Sequence, residues 1–79
     1  MATSQEKIIA YYISRLRDKR PEVQREAIQG LEAIGAEAEE ALEPLKALYE
    51  SAAEEAIRRM AQLAAYNIFM AVKHRDEGQ

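Results

Sequence analysis

A single well-delimited helix, PEVQREAIQGLEAIG from Pro21 to Gly35, constrains the fold of this chain more than any other segment. Proline is tolerated at the first position of a helix, and glycine readily adopts the left-handed conformation that ends one. Gly30, inside the segment, costs about 1 kcal/mol relative to alanine, a cost that a close helix crossing would justify. Between the two ends, apolar residues recur at helical spacing and form one face: Val23, Ala27, Ile28, Leu31 and Ile34.

The segment before Pro21 predicts another helix, from about Ser4 to Arg17. Either Thr3, with Glu6 three residues later, or Ser4 alone can cap its N-terminus. Residues 18–20 are a connection short enough to make the two helices antiparallel neighbours. The segment 36–40, which is rich in glutamate, forms the next connection. The apolar stripe of this first helix is expected to comprise Ile8, Ile9, Tyr12, Ile13 and Leu16.

The second half of the chain predicts two more helices. One covers roughly Glu40 to Glu50 and places Pro44 in its first turn, where proline is tolerated. The residues Ser51–Glu54 have the pattern of a capping box, which predicts a last helix from Ala52 to about Lys73. Residues 74–79 are expected to fray. The sequence therefore predicts an all-α fold of four helices.

The two halves of the chain are related by an internal repeat. A shift that aligns Ile9 with Ala41 also aligns Ile13 with Leu45 and Leu16 with Leu48. A similar shift aligns Arg25 with Arg58, Ala27 with Met60 and Ile28 with Ala61. A helix-pair period in the low thirties is typical of an α-solenoid. We therefore expect one domain over residues 1–79, with repeats at about 4–35 and 40–73.

Two runs carry a resemblance to a known family. LRDKRPEVQREAIQGLEAIG resembles the core of a HEAT repeat, particularly the short bacterial type also found in phycobilin-lyase subunits, and ALEPLKAL (41–48) resembles the first helix of such a repeat. The resemblance implies two HEAT-like helical hairpins, forming a short α-solenoid or a compact four-helix array. It also implies that Asp18 and Arg25 order the turn between paired helices, with Glu50 and Arg58 as a weaker second version.

The chain departs from the family pattern at two places. Arg20 stands where the family usually caps the second helix with aspartate. The loop from Gly35 to Pro44 is about two residues longer than the family pattern. HEAT-like repeats serve mostly as binding surfaces, so the resemblance implies a fold more specifically than a function.

Composition excludes several classes of function. The chain has 79 residues, a net charge of −3 and no cysteine, so it has neither a disulfide framework nor a thiolate metal site. The longest apolar run, 64–72, is shorter than the roughly 20 residues of a membrane span. A secretory signal pattern is missing from residues 1–20. We expect a cytoplasmic protein without a membrane association.

Catalysis and metal binding have weak support in the sequence. The single histidine, His74, lies near the C-terminus between Lys73 and Arg75, where a cation suits the helix dipole. The acidic residues Glu37, Glu39, Glu40 and Glu43 could bind a hard cation, but they lack the alternating ligands and glycine of a calcium loop. They fit a solvated helix N-terminus better. We expect no enzyme activity, no catalytic residue, no metal and no cofactor.

A basic patch surrounds the first inter-helix turn and consists of Arg15, Arg17, Lys19, Arg20 and Arg25. Such cations could contact an anion or a nucleic-acid phosphate. Asp18, Glu22 and Glu26 dilute the patch, and no aromatic residue interleaves it for base stacking. Nucleic-acid binding is therefore an alternative to the simpler interpretation of a solvated or protein-binding face.

The last helix has apolar residues on two sides. One side is a normal core stripe, consisting of Ile57, Met60, Ala61, Ala64, Ala65, Ile68 and Val72. Leu63, Tyr66 and Met70 fall on the far side, with Phe69 at its flank. Either the helix is central and wrapped by the other three, or its second side is covered by another molecule. Tyr11 on the first helix is also expected to face outward and to take part in an interface.

These observations favour a non-enzymatic protein–protein interaction module, a small adaptor or scaffold. Two repeats are fewer than a solenoid usually needs, so we predict a homodimer formed through the last helix, with a further protein partner on the concave surface. The alternatives are a nucleic-acid-binding accessory protein and a non-catalytic subunit of a lyase-like complex. A fourth, an engineered repeat protein, fits less well with the degenerate second repeat.

Overall fold

The computed structural model describes residues 3–78, and these contain helices but no strand. The helices are α1 (Ser4–Arg15), α2 (Pro21–Ile34), α3 (Leu42–Ser51) and α4 (Glu55–Glu77). A 3-10 segment, Gly35–Ala41, joins α2 to α3. The all-α prediction is confirmed. The expected division into four separated helices is wrong in one respect, because the acidic connection is itself a 3-10 segment, kinked at Ala38, that runs from α2 to α3 without an intervening loop and leaves three helical stretches.

The first two helices follow their terminal signals. The Glu6 backbone N–H donates to Thr3 Oγ1 at 3.1 Å, so Thr3, and not Ser4, caps α1. This helix ends at Arg15, two residues earlier than expected, because the N–H groups of Arg17 and Asp18 bond three residues back and tighten the last turn. The predicted bounds of α2 are confirmed.

Two glycines are needed in this part of the chain, one inside α2 and one at its C-terminal end. Gly35 has φ 78°, a left-handed conformation that side chains disfavour, and the chain changes direction there. At Gly30, the ring of Tyr12 occupies the space that a Cβ would fill. The close helix crossing expected at Gly30 is therefore present, and it joins α1 to α2.

The start of α4 differs from the prediction. Ser51 is the last residue of α3, and its hydroxyl donates to the Ala47 carbonyl at 2.7 Å instead of capping the next helix. Ala52 is extended, and α4 begins three residues later than expected, with Glu54 as an N-cap that makes no side-chain capping bond. The capping-box prediction is wrong because the serine hydroxyl bonds back to its own helix.

The other end of α4 extends through Glu77, so the helix is longer than the Lys73 end and frayed tail that we expected. Arg75 holds this last turn against the 3-10 segment. Its guanidinium lies 3.1 Å from Glu39 Oε1 and 3.4 Å from the Ala36 carbonyl oxygen. Gln79, the last residue of the expected tail, lies outside the described residues.

The core is one cluster, centred on the inner side of α4. This helix packs against α2, the 3-10 segment and α3, while α1 packs mainly on α2. The largest fully buried side chains come from α2, α3 and α4, and they are Ile28, Leu31, Leu45, Ile57 and Ile68. Ile8 is an exception among the predicted core residues, because its side chain is 49% exposed.

Candidate interaction surfaces

The far side of α4 carries exposed apolar residues, which we call the α4 apolar surface: Leu63, Tyr66, Phe69 and Met70. The first three are 58%, 59% and 53% exposed, and Met70 is half-buried. The opposite side of the helix is buried at Ile57, Ala61, Ala64, Ile68 and Val72. Because α4 is covered on one side only, the interpretation of a helix wrapped by the other three does not hold.

A polar pair lies on the α2 side of α4. Asn67 Nδ2 donates to Glu32 Oε2 at 2.6 Å, which joins α4 to α2. Asn67 stands at the position where the first repeat has the apolar Ile34. The hydrogen bond gives this departure from the repeat pattern a structural role.

On its other side, the α4 apolar surface continues into a shallow groove on α3. Leu42 and Tyr49 of α3 line this groove together with Ala65, Tyr66 and Phe69 of α4, and Glu43, Lys46 and Gln62 complete it. We call it the α3–α4 groove. Leu42 and Tyr49 are apolar, and both are only half-buried in α3. The sequence signal for this groove is the width of the apolar side of α3, which exceeds what one buried face requires.

Tyr11 belongs to a different surface. Its side chain is 51% exposed on α1, and the Arg15 guanidinium lies 5.5 Å from the centre of its ring. The rings of Tyr11 and Tyr12 are 5.6 Å apart. Since α1 packs on α2 and on the 3-10 segment and has no extensive contact with α4, the structure does not bring Tyr11 together with the α4 apolar surface.

Two members of the predicted basic patch, Arg20 and Arg15, have partners close in sequence. Asp18 bonds to Arg20 through the guanidinium, at 3.0 and 3.1 Å, and through the Arg20 backbone N–H at 2.9 Å. The guanidinium hydrogen bonds lower the pKa of Asp18 from 3.8 to about 2, with the backbone hydrogen bond as the second cause. The same pairing raises the pKa of Arg20. The Arg15 guanidinium lies 5.5 Å from the centre of the Tyr11 ring, so two of the five cations have a contact partner, while Arg17, Lys19 and Arg25 form no ion pair within residues 3–78.

The residues that the family resemblance assigns to ordering the turns are not joined to each other by ion pairs. Asp18 pairs with Arg20 and not with Arg25, because Arg20 is two residues away and its backbone N–H reaches the same carboxylate. No ion pair within residues 3–78 joins Glu50 to Arg58. Asp18 nevertheless orders the first turn, since it binds the N-cap residue of α2.

The groups considered for chemistry do not converge. His74 is exposed in the last turns of α4. Within residues 3–78, no three histidine or acidic side chains are placed to hold a metal ion, and Glu39 instead pairs with Arg75. None of the helices in this range combines the length and the apolarity of a membrane-spanning segment.

Sequence reasoning missed a second groove, between α1 and α3. We call it the α1–α3 groove. Its volume is about 630 Å³. Apolar side chains form most of its lining: Ile13, Leu16, Pro21, Pro44, Ala47, Leu48, Ala52 and Ala53. Arg17, Lys19 and Glu54 also line it. A groove between helices distant in sequence has no local pattern by which it could be predicted.

The fold and these surfaces define a class of protein: packed helices that share one core and present apolar grooves, with no metal-binding cluster of histidine and acidic side chains among residues 3–78. Comparison with protein families agrees with this class, since the family model for HEAT repeats matches residues 2–65. The chain belongs to the HEAT-repeat family, as the sequence resemblance indicated. No curated protein and no solved structure matches the chain significantly. HEAT repeats generally mediate protein–protein interactions and are typically non-catalytic.

Proposed function

We propose that this chain is a non-enzymatic interaction module of two HEAT repeats, about 4–35 and 40–73 in a single domain, and that it forms a homodimer through the α4 apolar surface. The observation that carries the proposal is the exposure of Leu63, Tyr66 and Phe69 on one helix. A contiguous apolar patch of this kind on a small protein is typical of an interaction site.

The composition of the surface suits pairing with an identical copy. The α3–α4 groove beside it contains one acidic and one basic side chain, Glu43 and Lys46. Two copies related by a two-fold axis would bring the same residues together from both sides. A surface with one charge of each sign allows this pairing without net repulsion, although the whole chain carries a net charge of −3.

The area available predicts a weak dimer. A half-exposed aromatic side chain offers about 100 Å² to an interface, half of what it buries in full. If each of the four residues in a copy offers at most this area, the total is at most roughly 800 Å² over both copies, below the ~1,200 Å² of a stable specific interface. Burial of Leu42 and Tyr49 in the α3–α4 groove would add to this area. We therefore expect a dissociation constant in the micromolar range.

Sedimentation velocity over about 1–500 μM protein tests this proposal, because the range spans a micromolar dissociation constant. Leu63→Glu with Tyr66→Glu should weaken dimerisation at least about tenfold, a loss of ~1.4 kcal/mol. The matched control is Ile8→Glu with Tyr11→Glu, which adds the same charges at residues of similar exposure on α1. Circular dichroism verifies folding. A wild-type chain that stays monomeric throughout, or two double variants that behave alike, would refute the interface.

The two alternative functions have less support. Arg20 is neutralised by Asp18, and Arg15 lies with Tyr11, which leaves a smaller basic surface for a nucleic-acid backbone than the sequence indicated. A non-catalytic role in a lyase-like complex has no observation of its own in its favour. The cytoplasmic location stays a prediction.

A further inference from the structure

The α1–α3 groove is a candidate binding site independent of the proposed dimer. It exists because α1 contacts α2 and the 3-10 segment and makes no extensive contact with α3. Its deepest residues are the buried Leu16 and Leu48, and the exposed Ala47 lies on its α3 side. The groove therefore offers an apolar surface, bounded by small side chains, to a narrow partner.

The charges that line the groove are unbalanced. Arg17 and Lys19 are both exposed there, and neither forms an ion pair within residues 3–78. The acidic residue between them, Asp18, does not neutralise them because Arg20 holds its carboxylate. The single acidic side chain of the lining, Glu54, belongs to the turn between α3 and α4. The α1–α2 turn thus presents positive charge beside an apolar groove.

We propose that the α1–α3 groove binds a peptide segment of a partner protein that carries apolar side chains next to an acidic residue. The apolar side chains contact Leu16, Leu48 and Ala47, and the carboxylate faces Arg17 and Lys19. A second copy of the chain, inserting its α4 apolar surface into the groove, is a poorer occupant. Its Lys73 lies about two helical turns after Tyr66 and would bring a positive charge close to Arg17 and Lys19.

The test is selection of linear dodecapeptides from a random phage-displayed library on the full chain. Apolar residues and Asp or Glu should be enriched among the selected peptides. A synthetic copy of the most enriched peptide, labelled with fluorescein, then gives dissociation constants by anisotropy. Arg17→Glu with Lys19→Glu should weaken its binding by roughly tenfold, because two exposed ion pairs are replaced by repulsions of like charge. The matched control, Lys7→Glu with Lys73→Glu, should change it less than twofold.

A second variant tests the apolar part. Ala47→Trp places a large side chain in the groove from an exposed position, and it should reduce binding by a similar factor while the circular dichroism spectrum stays unchanged. Selection of no peptide, enrichment of basic peptides, or binding unaffected by both groove variants would overturn the proposal. So would a single-stranded oligonucleotide that competes with the peptide and loses its own binding in Arg17→Glu with Lys19→Glu, since the cations would then serve phosphate. The homodimer is tested separately, by sedimentation of the Leu63→Glu with Tyr66→Glu variant. The peptide-binding result and the dimerisation result can therefore fail independently of each other.

Discussion

The contact between Tyr12 and Gly30 can be tested by a substitution whose sign depends on its neighbour. In the interior of a helix, replacing glycine by alanine stabilises by about 1 kcal/mol. In this chain the new methyl group would lie 2.6 Å from the Cε2 atom of Tyr12, which is closer than packed carbon atoms approach. The ring would have to move, and overpacking of this kind costs about 1–3 kcal/mol. We expect Gly30→Ala to destabilise the chain by about 1 kcal/mol net.

The same substitution should become stabilising once the ring is removed. In a Tyr12→Ala background, Gly30→Ala meets no obstacle and should recover the full helix preference of about 1 kcal/mol. The difference between the two backgrounds is therefore a coupling free energy of about 2 kcal/mol, within the range seen for residues in contact.

Urea unfolding followed by circular dichroism measures the four free energies of unfolding, at one protein concentration because association would shift them. Ala33→Gly is the matched control, since it changes helix preference at an exposed position of α2 and should cost about 1 kcal/mol in both backgrounds. If Gly30→Ala had the same effect with and without the ring, to within about 0.5 kcal/mol, the Tyr12 contact would not be the reason for the glycine.

Two further predictions concern the ion pairs. Asp18→Asn should lower the melting temperature at neutral pH but not near pH 2: because the pKa of Asp18 is lowered from 3.8 to about 2 in the folded chain, its stabilising effect is present above the unfolded value and is lost as the pH falls towards the folded value. Melting temperatures of the wild type and of Asp18→Asn are measured from neutral pH to pH 2, with Glu22→Gln as a control. A difference between the wild type and Asp18→Asn that did not change with pH would contradict the role given to the Asp18 carboxylate. Arg75→Ala should speed amide exchange in the last two turns of α4 more than about threefold without changing global unfolding, because it removes the bond to Glu39. Hydrogen exchange read by NMR tests this, and exchange that rises equally in α2 would contradict it.

Local signals in the sequence were sufficient for the parts of the fold that depend on local chemistry. Thr3 and Pro21 mark helix starts, and Gly35 marks an end, because each satisfies a backbone requirement within a few residues. Ser51 shows the limit of such signals. Its hydroxyl can cap a following helix or bond back to its own, and the choice depends on where α3 ends.

Features that depend on tertiary packing could not be predicted in the same way. The acidic connection is helical because its Ala38 and Ala41 pack into the core beside α4, which local composition does not reveal. Ile8 is apolar at a helical spacing, yet α1 is covered on one side only and the residue stays exposed. The α1–α3 groove likewise depends on a separation between helices that lie far apart in the sequence.

The departures of the second repeat from the first are informative about function for the same reason. In the alignment of the two repeats, Leu63 and Tyr66 stand where α2 has Gly30 and Ala33. Ala33 is exposed in the first repeat, so the fold does not need a large side chain at that position. Tyr66 is 59% exposed and Leu63 58%, and neither is part of the buried cluster. Large apolar side chains at positions outside the buried core enlarge the exposed apolar surface. The proposed interaction with another molecule would bury this surface and so accounts for these side chains.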